Sequence, residues 1–247
     1  MLDRGIALAG ALNAMTEQTP PSRRLGAAQA EQLVRLGGEP HHVHDPGGLL
    51  GLDPMAQVPL RLALARLAHS PRQPQAWALL LPRPGRMAGL RGPAELNRQA
   101  LACGLLVTSH DGELGWLGRR VGEGVQWQLT RAERPAPPPD PRESARLLGQ
   151  QMTDAARVLA ELGLVAGDRP SAEATPRLGE HYPHRSQLLL ERAWLLLQAG
   201  EQAMAAQGEL LHSHAVLVRE HQLRALQDAA LDAITAAASW PGHALPG

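Results

Sequence analysis

The stretch that most constrains this chain runs from residue 75 to residue 131, because it holds nearly all of the credible β-structure. It begins with the apolar run Trp77–Leu81, breaks at a Pro- and Gly-rich segment, and continues as a helical pattern over residues 93–103. A second apolar run, Leu105–Val107, and a third, Val125–Leu129, follow. Short apolar runs between turn residues are typical of buried strands. The predicted order is therefore strand, loop, helix, strand and strand.

This order predicts an α+β fold with a small mixed sheet of three to four strands and flanking helices. The helix between the first two strands favours parallel pairing of those strands, because parallel neighbours need a long crossover. The turns at Asp111-Gly112 and at residues 122–124 favour antiparallel pairing of the strands that follow.

Residues 1–22 are predicted to be a disordered N-terminal extension. The first 12 residues resemble a signal peptide only faintly, since the apolar core is short and Asp3 offsets the charge of Arg4. Met15 begins a second plausible start, so residues 1–14 are interpreted as an upstream extension of a cytoplasmic protein. No apolar run approaches the roughly 18 residues of a membrane span.

An α+β domain is predicted over residues 23–134, with helices over 23–36 and 58–68. The segment 39–52 between them holds three Gly and two Pro and is predicted to be a loop. The Pro-rich residues 135–140 form a stiff linker.

A helical domain of about three helices is predicted over residues 141–240. Asp140, Pro141 and Glu143 mark the start of its first helix, since an acidic N-cap is followed by Pro and then Glu. A second helix over 186–206 is apolar almost all round from Leu188 to Leu197, which favours burial of Trp194 as a core anchor. The last helix, over 209–238, presents one inner face: Leu223, Leu226, Ala230, Ile234 and Ala237.

Composition excludes several classes of function. All 24 basic residues are Arg, so Lys chemistry is ruled out, and 24 acidic residues balance them. A dedicated nucleic-acid binder usually has a basic excess, so no nucleic-acid partner is expected. The single Cys103 excludes an internal disulfide and any multi-cysteine zinc site. Its place at a helix C-terminus, where the dipole disfavours a thiolate, argues against a catalytic role.

The most metal-like string is His41-His42-Val43-His44-Asp45. Imidazole and carboxylate groups suit zinc or nickel, but a Gly- and Pro-rich loop offers no fixed geometry, and adjacent side chains point apart. No metal and no cofactor are predicted. The consecutive Ser109, His110 and Asp111 cannot adopt a triad geometry and are interpreted as part of a turn.

The loop of residues 82–92 is the candidate binding site. It carries Arg83, Arg86 and Arg91 among several glycines and leads to a helix N-terminus. Free backbone N–H groups and the helix dipole favour an anion there, and Arg adds bidentate hydrogen bonds. A phosphate, a carboxylate or an acidic peptide would suit the loop; the alternative is a solvated surface segment.

Several short segments of the chain resemble a family of uncharacterised actinobacterial proteins. The segments are 79–85, Gly89-Leu90, Gly92-Pro93, 124–127 and Tyr182-Pro183. The resemblance covers most of residues 76–238 and implies no activity. From the residues, the expected function is non-catalytic: protein interaction or regulation through the C-terminal helices. The alternative is a small-molecule or phosphate-binding enzyme that uses the loop 82–92.

Overall fold

A computed structural model of the chain describes residues 1–16, 19, 24–35, 38–70, 74–162, 175–205 and 213–239. The described residues fall into two compact units. Unit 1 lies within Met1–Pro138, Arg177–Pro183 and Ala238–Gly247, and unit 2 lies within Pro139–Pro176 and His184–Ala237. The division after Pro138 falls inside the segment 135–140, for which a linker is predicted.

Unit 1 combines helices with one sheet. Its described helices are α1 (Leu2–Ala14), α2 (Ala27–Val34), α3 (Leu60–Ala68) and α4 (Ala94–Cys103). Its strands are β1 (His41–His44), β2 (Gln57–Pro59), β3 (Trp77–Leu80), β4 (Leu106–Ser109), β5 (Gly115–Val121) and β6 (Gly124–Thr130). Unit 2 is helical, with α5 (Pro141–Glu161), α6 (His184–Ala205) and α7 (Ser213–Ala238, whose last residue belongs to unit 1). The α+β class is therefore confirmed.

The sheet has six described strands in the order β2-β1-β6-β5-β4-β3, so the expected three to four strands were too few. Only β1 and β6 pair in parallel, while every other neighbouring pair is antiparallel. The predicted parallel pairing of β3 with β4 is wrong. Leu80, the last residue of β3, pairs with Leu106, the first residue of β4. The segment that connects the two strands and contains α4 therefore starts and ends at the same end of the strands.

The strands that sequence reasoning missed have weak hydrophobic patterns. β1 lies in the predicted loop 39–52 and contains Val43 among three histidines. β2 has only three residues, and β5 carries two glycines and a charged end. Strand pairing stabilises β5 despite its weak pattern, because β5 pairs with β6 along its whole length. The turn between them contains Gly122, whose φ is 57°. Tertiary pairing thus overrides a weak local preference.

The two faces of the sheet are covered by different helices. On one face, α4 contributes Leu96 and Ala100 to a buried cluster with the strand residues Ala78, Leu80, Leu106 and Leu117. On the other face lies α1, where a Cβ added at Gly5 would come within 3.2 Å of Leu105 and 3.3 Å of Leu79. The sheet is therefore packed between α1 and α4.

Helix α1 overturns the expectation that residues 1–22 are disordered; residues 17–18 and 20–22 lie outside the described residues. All residues from Gly5 to Ala14 are buried. The helix is apolar on every side and rich in Ala and Gly, and such a helix belongs in a core. Its polar ends have partners, since Arg4 pairs with Asp3 and Glu39. Sequence reasoning mistook this all-round apolar pattern for an appended segment.

The edge strand β3 is closed by side chains rather than by another strand. The Trp77 amide donates to Asn13 Oδ1 at 2.9 Å, and Asn13 Nδ2 donates to the Trp77 carbonyl at 3.1 Å. The Leu79 amide donates to Ser239 Oγ at 3.1 Å, and Ser239 Oγ donates in return to the Leu79 carbonyl at 3.4 Å. Tyr182 Oη accepts from Asn13 Nδ2 at 2.9 Å and donates to the Ala238 carbonyl at 2.7 Å. The outward backbone groups of β3 are thereby satisfied.

We expect Asn13→Ala to lower the free energy of unfolding by about 3 kcal/mol, because each buried polar group left unpaired costs about 1–3 kcal/mol. Urea unfolding of the variant and wild type measures this. Arg61→Ala, at an exposed position on α3, is the matched control, with an expected change within about 0.5 kcal/mol. Equal midpoints for Asn13→Ala and the control would show that α1 does not hold the edge strand.

Unit 2 is built on well-defined helix contacts. The carboxylate of Asp140 accepts from the amides of Arg142 and Glu143 at 2.8 and 3.0 Å, so the predicted N-cap of α5 is confirmed. Helices α6 and α7 touch at Gly200, where an added Cβ would lie 3.0 Å from Gln227 Cγ. The five predicted inner-face residues of α7 are all buried: Leu223, Leu226, Ala230, Ile234 and Ala237.

Helix α6 is less enclosed than its sequence predicts. Trp194 is buried, with 8% of its surface exposed, as expected of a core anchor. However, Leu188 and Leu195 are 51% and 46% exposed, so the stretch is not covered on all sides. The helix begins at His184, two residues before the predicted start at Ser186, which is itself buried.

We expect Trp194→Ala to reduce the free energy of unfolding by about 3–5 kcal/mol, the usual range for deleting a large buried aromatic side chain. Leu195→Ala, at the exposed neighbouring position, should stay within about 0.5 kcal/mol of wild type. Chemical denaturation followed by circular dichroism compares the three proteins. If Trp194→Ala behaved like Leu195→Ala, Trp194 would not be part of the core.

Candidate functional sites

A cavity of about 650 Å³ lies at one edge of the sheet in unit 1. Strands β1 and β6 run in parallel and end side by side there, and the turn between β4 and β5 lies at the same edge because Gly115 pairs with Thr130. In open parallel α/β sheets, ligands commonly bind beyond the carboxyl ends of the strands, and β1 and β6 are a parallel pair that ends at this cavity. The volume is within the range of about 300–1,000 Å³ that is typical of small-molecule pockets.

The cavity lining mixes charges of both signs with apolar side chains. Arg66 and His69 come from the last turn of α3 and the residue after it, Asp111 and Glu113 from the β4–β5 turn, and Arg131 from the residue after β6. Within the described part of the chain, neither Arg66 nor Arg131 forms an ion pair. Apolar parts of the wall are Leu49, Leu50, Leu67, Leu114 and Ala132.

Asp45 fixes the glycine-rich wall of this cavity. It directly follows β1, is fully buried, and accepts from the amides of Leu49 and Leu50 at 2.7 and 2.9 Å. The Leu52 amide adds a longer contact of 3.4 Å. A carboxylate that accepts several backbone N–H groups is a strong local anchor. The loop therefore holds its shape without a regular strand or helix.

Sequence reasoning missed Arg66, His69, Asp111 and Arg131 as a group. Each stands alone in the sequence, and the pairing of β6 with both β1 and β5 brings their segments to the same end of the sheet. The sequence carries one signal for this site: the charged residues Asp45 and Arg131 directly follow strands. That signal needs β1, which lay in a predicted loop.

The histidine string serves several separate structural roles. His44 Nε2 lies 3.0 Å from the Pro54 carbonyl, Asp45 anchors the loop, and His41 is buried in the opposite direction from His42, as alternation along β1 requires. Among the described residues, no group of three or more potential metal ligands converges.

His41 belongs to a buried polar chain that begins at Arg4. Trp127 Nε1 donates to His41 Nδ1 at 3.1 Å, which makes Nδ1 the acceptor and places the proton of the neutral ring on Nε2. Nε2 lies 3.5 Å from Glu39 Oε1, and Glu39 pairs with Arg4. The hydrogen bond from Arg4 holds the pKa of Glu39 at about 2, while burial lowers the pKa of His41.

These shifts predict how stability depends on pH. Glu39 has a depressed pKa, so its contribution is present above its unfolded value of about 4.5 and disappears as pH falls towards 2. His41 also resists protonation in the folded state, so stability already declines as pH falls below about 6.5. Glu39→Gln should cost roughly 1–3 kcal/mol at pH 7 and almost nothing near pH 2. Urea unfolding across this pH range measures the difference, and a cost independent of pH would contradict the assignment.

The loop 82–92 has a compact, internally bonded structure. The amides and carbonyls of Arg83 and Arg86 pair with each other at 2.9 and 2.8 Å across the turn at Gly85. Arg83 is half-buried and donates from Nη1 to the Leu81 carbonyl at 3.2 Å, while Arg86 and Arg91 are exposed. The three guanidinium groups were expected to line one anion site, and this remains a prediction.

An acidic residue lies beside the C-terminal end of this loop. The Glu133 carboxylate is so close to Gly92 that an added Cβ would meet its Oε1 at 2.7 Å, and the Glu133 amide donates to the Gly92 carbonyl at 3.0 Å. Helix α4 begins two residues later, at Ala94. A carboxylate near a helix N-terminus already interacts favourably with the dipole and repels a second anion.

The remaining reactive side chains have structural surroundings. Burial raises the pKa of Cys103, and nearby Arg119 opposes this, so the thiol is protonated at neutral pH. Ser109 Oγ accepts from the Leu114 amide at 3.0 Å and is buried in the β4–β5 turn. Burial lowers the pKa of His110. Ser109, His110 and Asp111 thus form the turn that sequence reasoning expected.

Unit 2 carries an exposed stripe on α6, made of Arg185, Leu188, Arg192 and Leu195. At about 100° per residue these four positions fall within an arc of about 80° on the helix. Arg192 Nη2 lies 3.8 Å from Met152 Sδ of α5, which places the stripe beside that helix. None of the four residues is acidic. We call this set the α6 stripe.

A comparison with protein families gives a match over the N-terminal part of the chain. The family model described as "Rv1486c-like protein, N-terminal domain" matches residues 11–143, which is more than half of the chain. No curated protein and no solved structure matches. The match agrees with the expected resemblance to an uncharacterised actinobacterial family over residues 76–143 and extends it towards the N-terminus. It does not reach α6 and α7. Among the described residues, no helix is long and apolar enough to span a membrane.

Proposed function

We propose that this protein, which belongs to the Rv1486c-like family, is a non-catalytic interaction or regulatory protein that binds a protein partner through the helices of unit 2. The observation that carries the proposal is the α6 stripe, where Leu188 and Leu195 are half exposed on one face. Two large apolar side chains at this spacing match the way a helix face contacts a partner helix.

The charges of the stripe define the partner. Arg185 and Arg192 alternate with the two leucines, and α5 beside them contributes Met152 rather than an acid at the contact. A second copy of the stripe would bring arginines against arginines, which disfavours self-association through this face. An amphipathic helix that alternates acidic and apolar residues would pair with both parts. The chemistry therefore favours an acidic, amphipathic segment of another protein.

A cytoplasmic location is part of this proposal and is supported by the single cysteine of the chain. The alternative function is a small-molecule or phosphate-binding enzyme that uses the loop 82–92. We place it second because Glu133 lies against Gly92 at the start of α4, where a bound phosphate would be repelled. The paired backbone groups of Arg83 and Arg86 are also already hydrogen-bonded.

We expect the double variant Leu188→Ser/Leu195→Ser to lose a partner that the wild-type chain retains. The experiment purifies the full chain from its native cells after chemical cross-linking and maps the cross-linked segments by mass spectrometry. Both positions are exposed, so the melting temperature should change little. Leu217→Ser, at an exposed leucine on α7 that is 66% accessible, is the matched control.

Support requires that the captured segment be an acidic amphipathic helix, that Leu217→Ser retain it, and that Arg192→Glu abolish its binding. An acid-to-Arg change in the partner should then restore binding to Arg192→Glu. A partner that binds the double variant as well as wild type would overturn the proposal. Association of the chain with itself through this face would also overturn it.

A further inference from the structure

The cavity in unit 1 has a rigid frame on three sides. Asp45 anchors the loop that supplies Gly47, Gly48, Leu49 and Leu50. On the β4–β5 turn, Asp111 Oδ1 accepts from the Glu113 amide at 3.2 Å, and Ser109 fixes Leu114. Arg66 and His69 stand on α3, where His69 Nδ1 lies 2.7 Å from the Ala65 carbonyl. These contacts hold the wall in place before a ligand arrives, which reduces the entropic cost of binding.

The cavity wall carries charges of both signs. Arg66 and Arg131 supply two guanidinium groups with no ion-pair partner in the described chain, and Asp111 and Glu113 supply two carboxylates from the β4–β5 turn. An anionic ligand would satisfy the guanidinium groups but would face the two carboxylates. A cationic ligand would pair with the carboxylates but would face the two guanidinium groups. A ligand that carries both charges would pair with both groups.

The rest of the wall suits a short apolar body. Leu49, Leu50, Leu67 and Leu114 line the cavity together with the charged groups, and the small Ala132 follows Arg131 in the wall. Pockets of this kind use apolar contacts for affinity and a few polar groups for orientation. The combination resembles what a free amino acid with an apolar side chain requires.

We propose that this cavity binds a small zwitterion of the amino-acid type. Arg66 and Arg131 hold its carboxylate by bidentate hydrogen bonds, Asp111 accepts from its ammonium group, and the leucines contact its side chain. The site is independent of the α6 stripe, because all of its residues belong to unit 1.

The test uses the full-length chain and three matched probes. L-leucine carries both charges, 4-methylpentanoate lacks the ammonium group, and 3-methylbutylamine lacks the carboxylate. Two-dimensional amide NMR follows the titration of each probe. We expect L-leucine to shift the amides of Gly48, Leu114 and Ala132 in a saturable manner. Both analogues should bind about tenfold more weakly or worse, since each loses one charged hydrogen-bonding group.

Variants separate the two ends of the ligand. Asp111→Asn retains an acceptor for the Glu113 amide. It should weaken the binding of L-leucine about tenfold without weakening that of 4-methylpentanoate, because the variant removes a carboxylate that repels an anion. Arg131→Gln should weaken both L-leucine and 4-methylpentanoate. Arg61→Gln, an exposed arginine of α3 that does not line the cavity, is the control and should change neither.

Each contrary outcome overturns the proposal. Absence of saturable shifts with L-leucine would remove the amino-acid ligand, as would shifts confined to residues outside the cavity. Equal affinity for 4-methylpentanoate and L-leucine would show a simple anion site. An equal loss of L-leucine affinity in Asp111→Asn and Arg61→Gln would exclude a specific role for Asp111.

Discussion

Unit 1 depends on the closure of its edge strand β3. An exposed edge presents unpaired N–H and C=O groups, which invite pairing with another chain. Here the Asn13 amide and the Ser239 hydroxyl take the place of a neighbouring strand, bonding both groups of Trp77 and of Leu79. Because Asn13 lies on α1, the same contact fixes the helix that covers one face of the sheet. The contact of Asn13 with Trp77 therefore both protects the edge of the sheet and holds α1 against its face.

The opposite edge of the sheet, formed by β2, is protected in a different way. Strand β2 has only three residues and ends in Pro59, which lacks an amide proton and so limits further pairing. It adjoins β1, whose parallel pairing with β6 is the one departure from an antiparallel sheet. That departure brings two carboxyl ends together and leaves room for a cavity. A strand with a weak local pattern thus leads directly into the wall of the cavity.

The sequence predicted the α+β class, the cap at Asp140, the helix over residues 93–103 and the burial of Trp194, because each follows from local chemistry or periodicity. It did not predict α1 or β1. An all-round apolar helix gives no periodic signal, and β1 has a single apolar residue, Val43, between histidines. Their stability comes from partners distant in sequence, such as Trp127 for His41. The residues of the 82–92 loop were visible, whereas the repelling Glu133 was about 40 positions away.

The cavity of unit 1 and the α6 stripe differ in how they are built from the chain. The cavity residues come from four separate segments and are held by buried anchors, so their geometry is a property of the folded sheet. The α6 stripe comes from one helix, and its spacing is fixed by helical geometry alone. A rigid site that matches opposite charges suits a small ligand, whose affinity depends on few contacts placed accurately. A linear stripe of alternating charge and leucine suits a helix, whose side chains recur with the same period. The partner proposed for each surface thus follows from the way that surface is assembled from the chain.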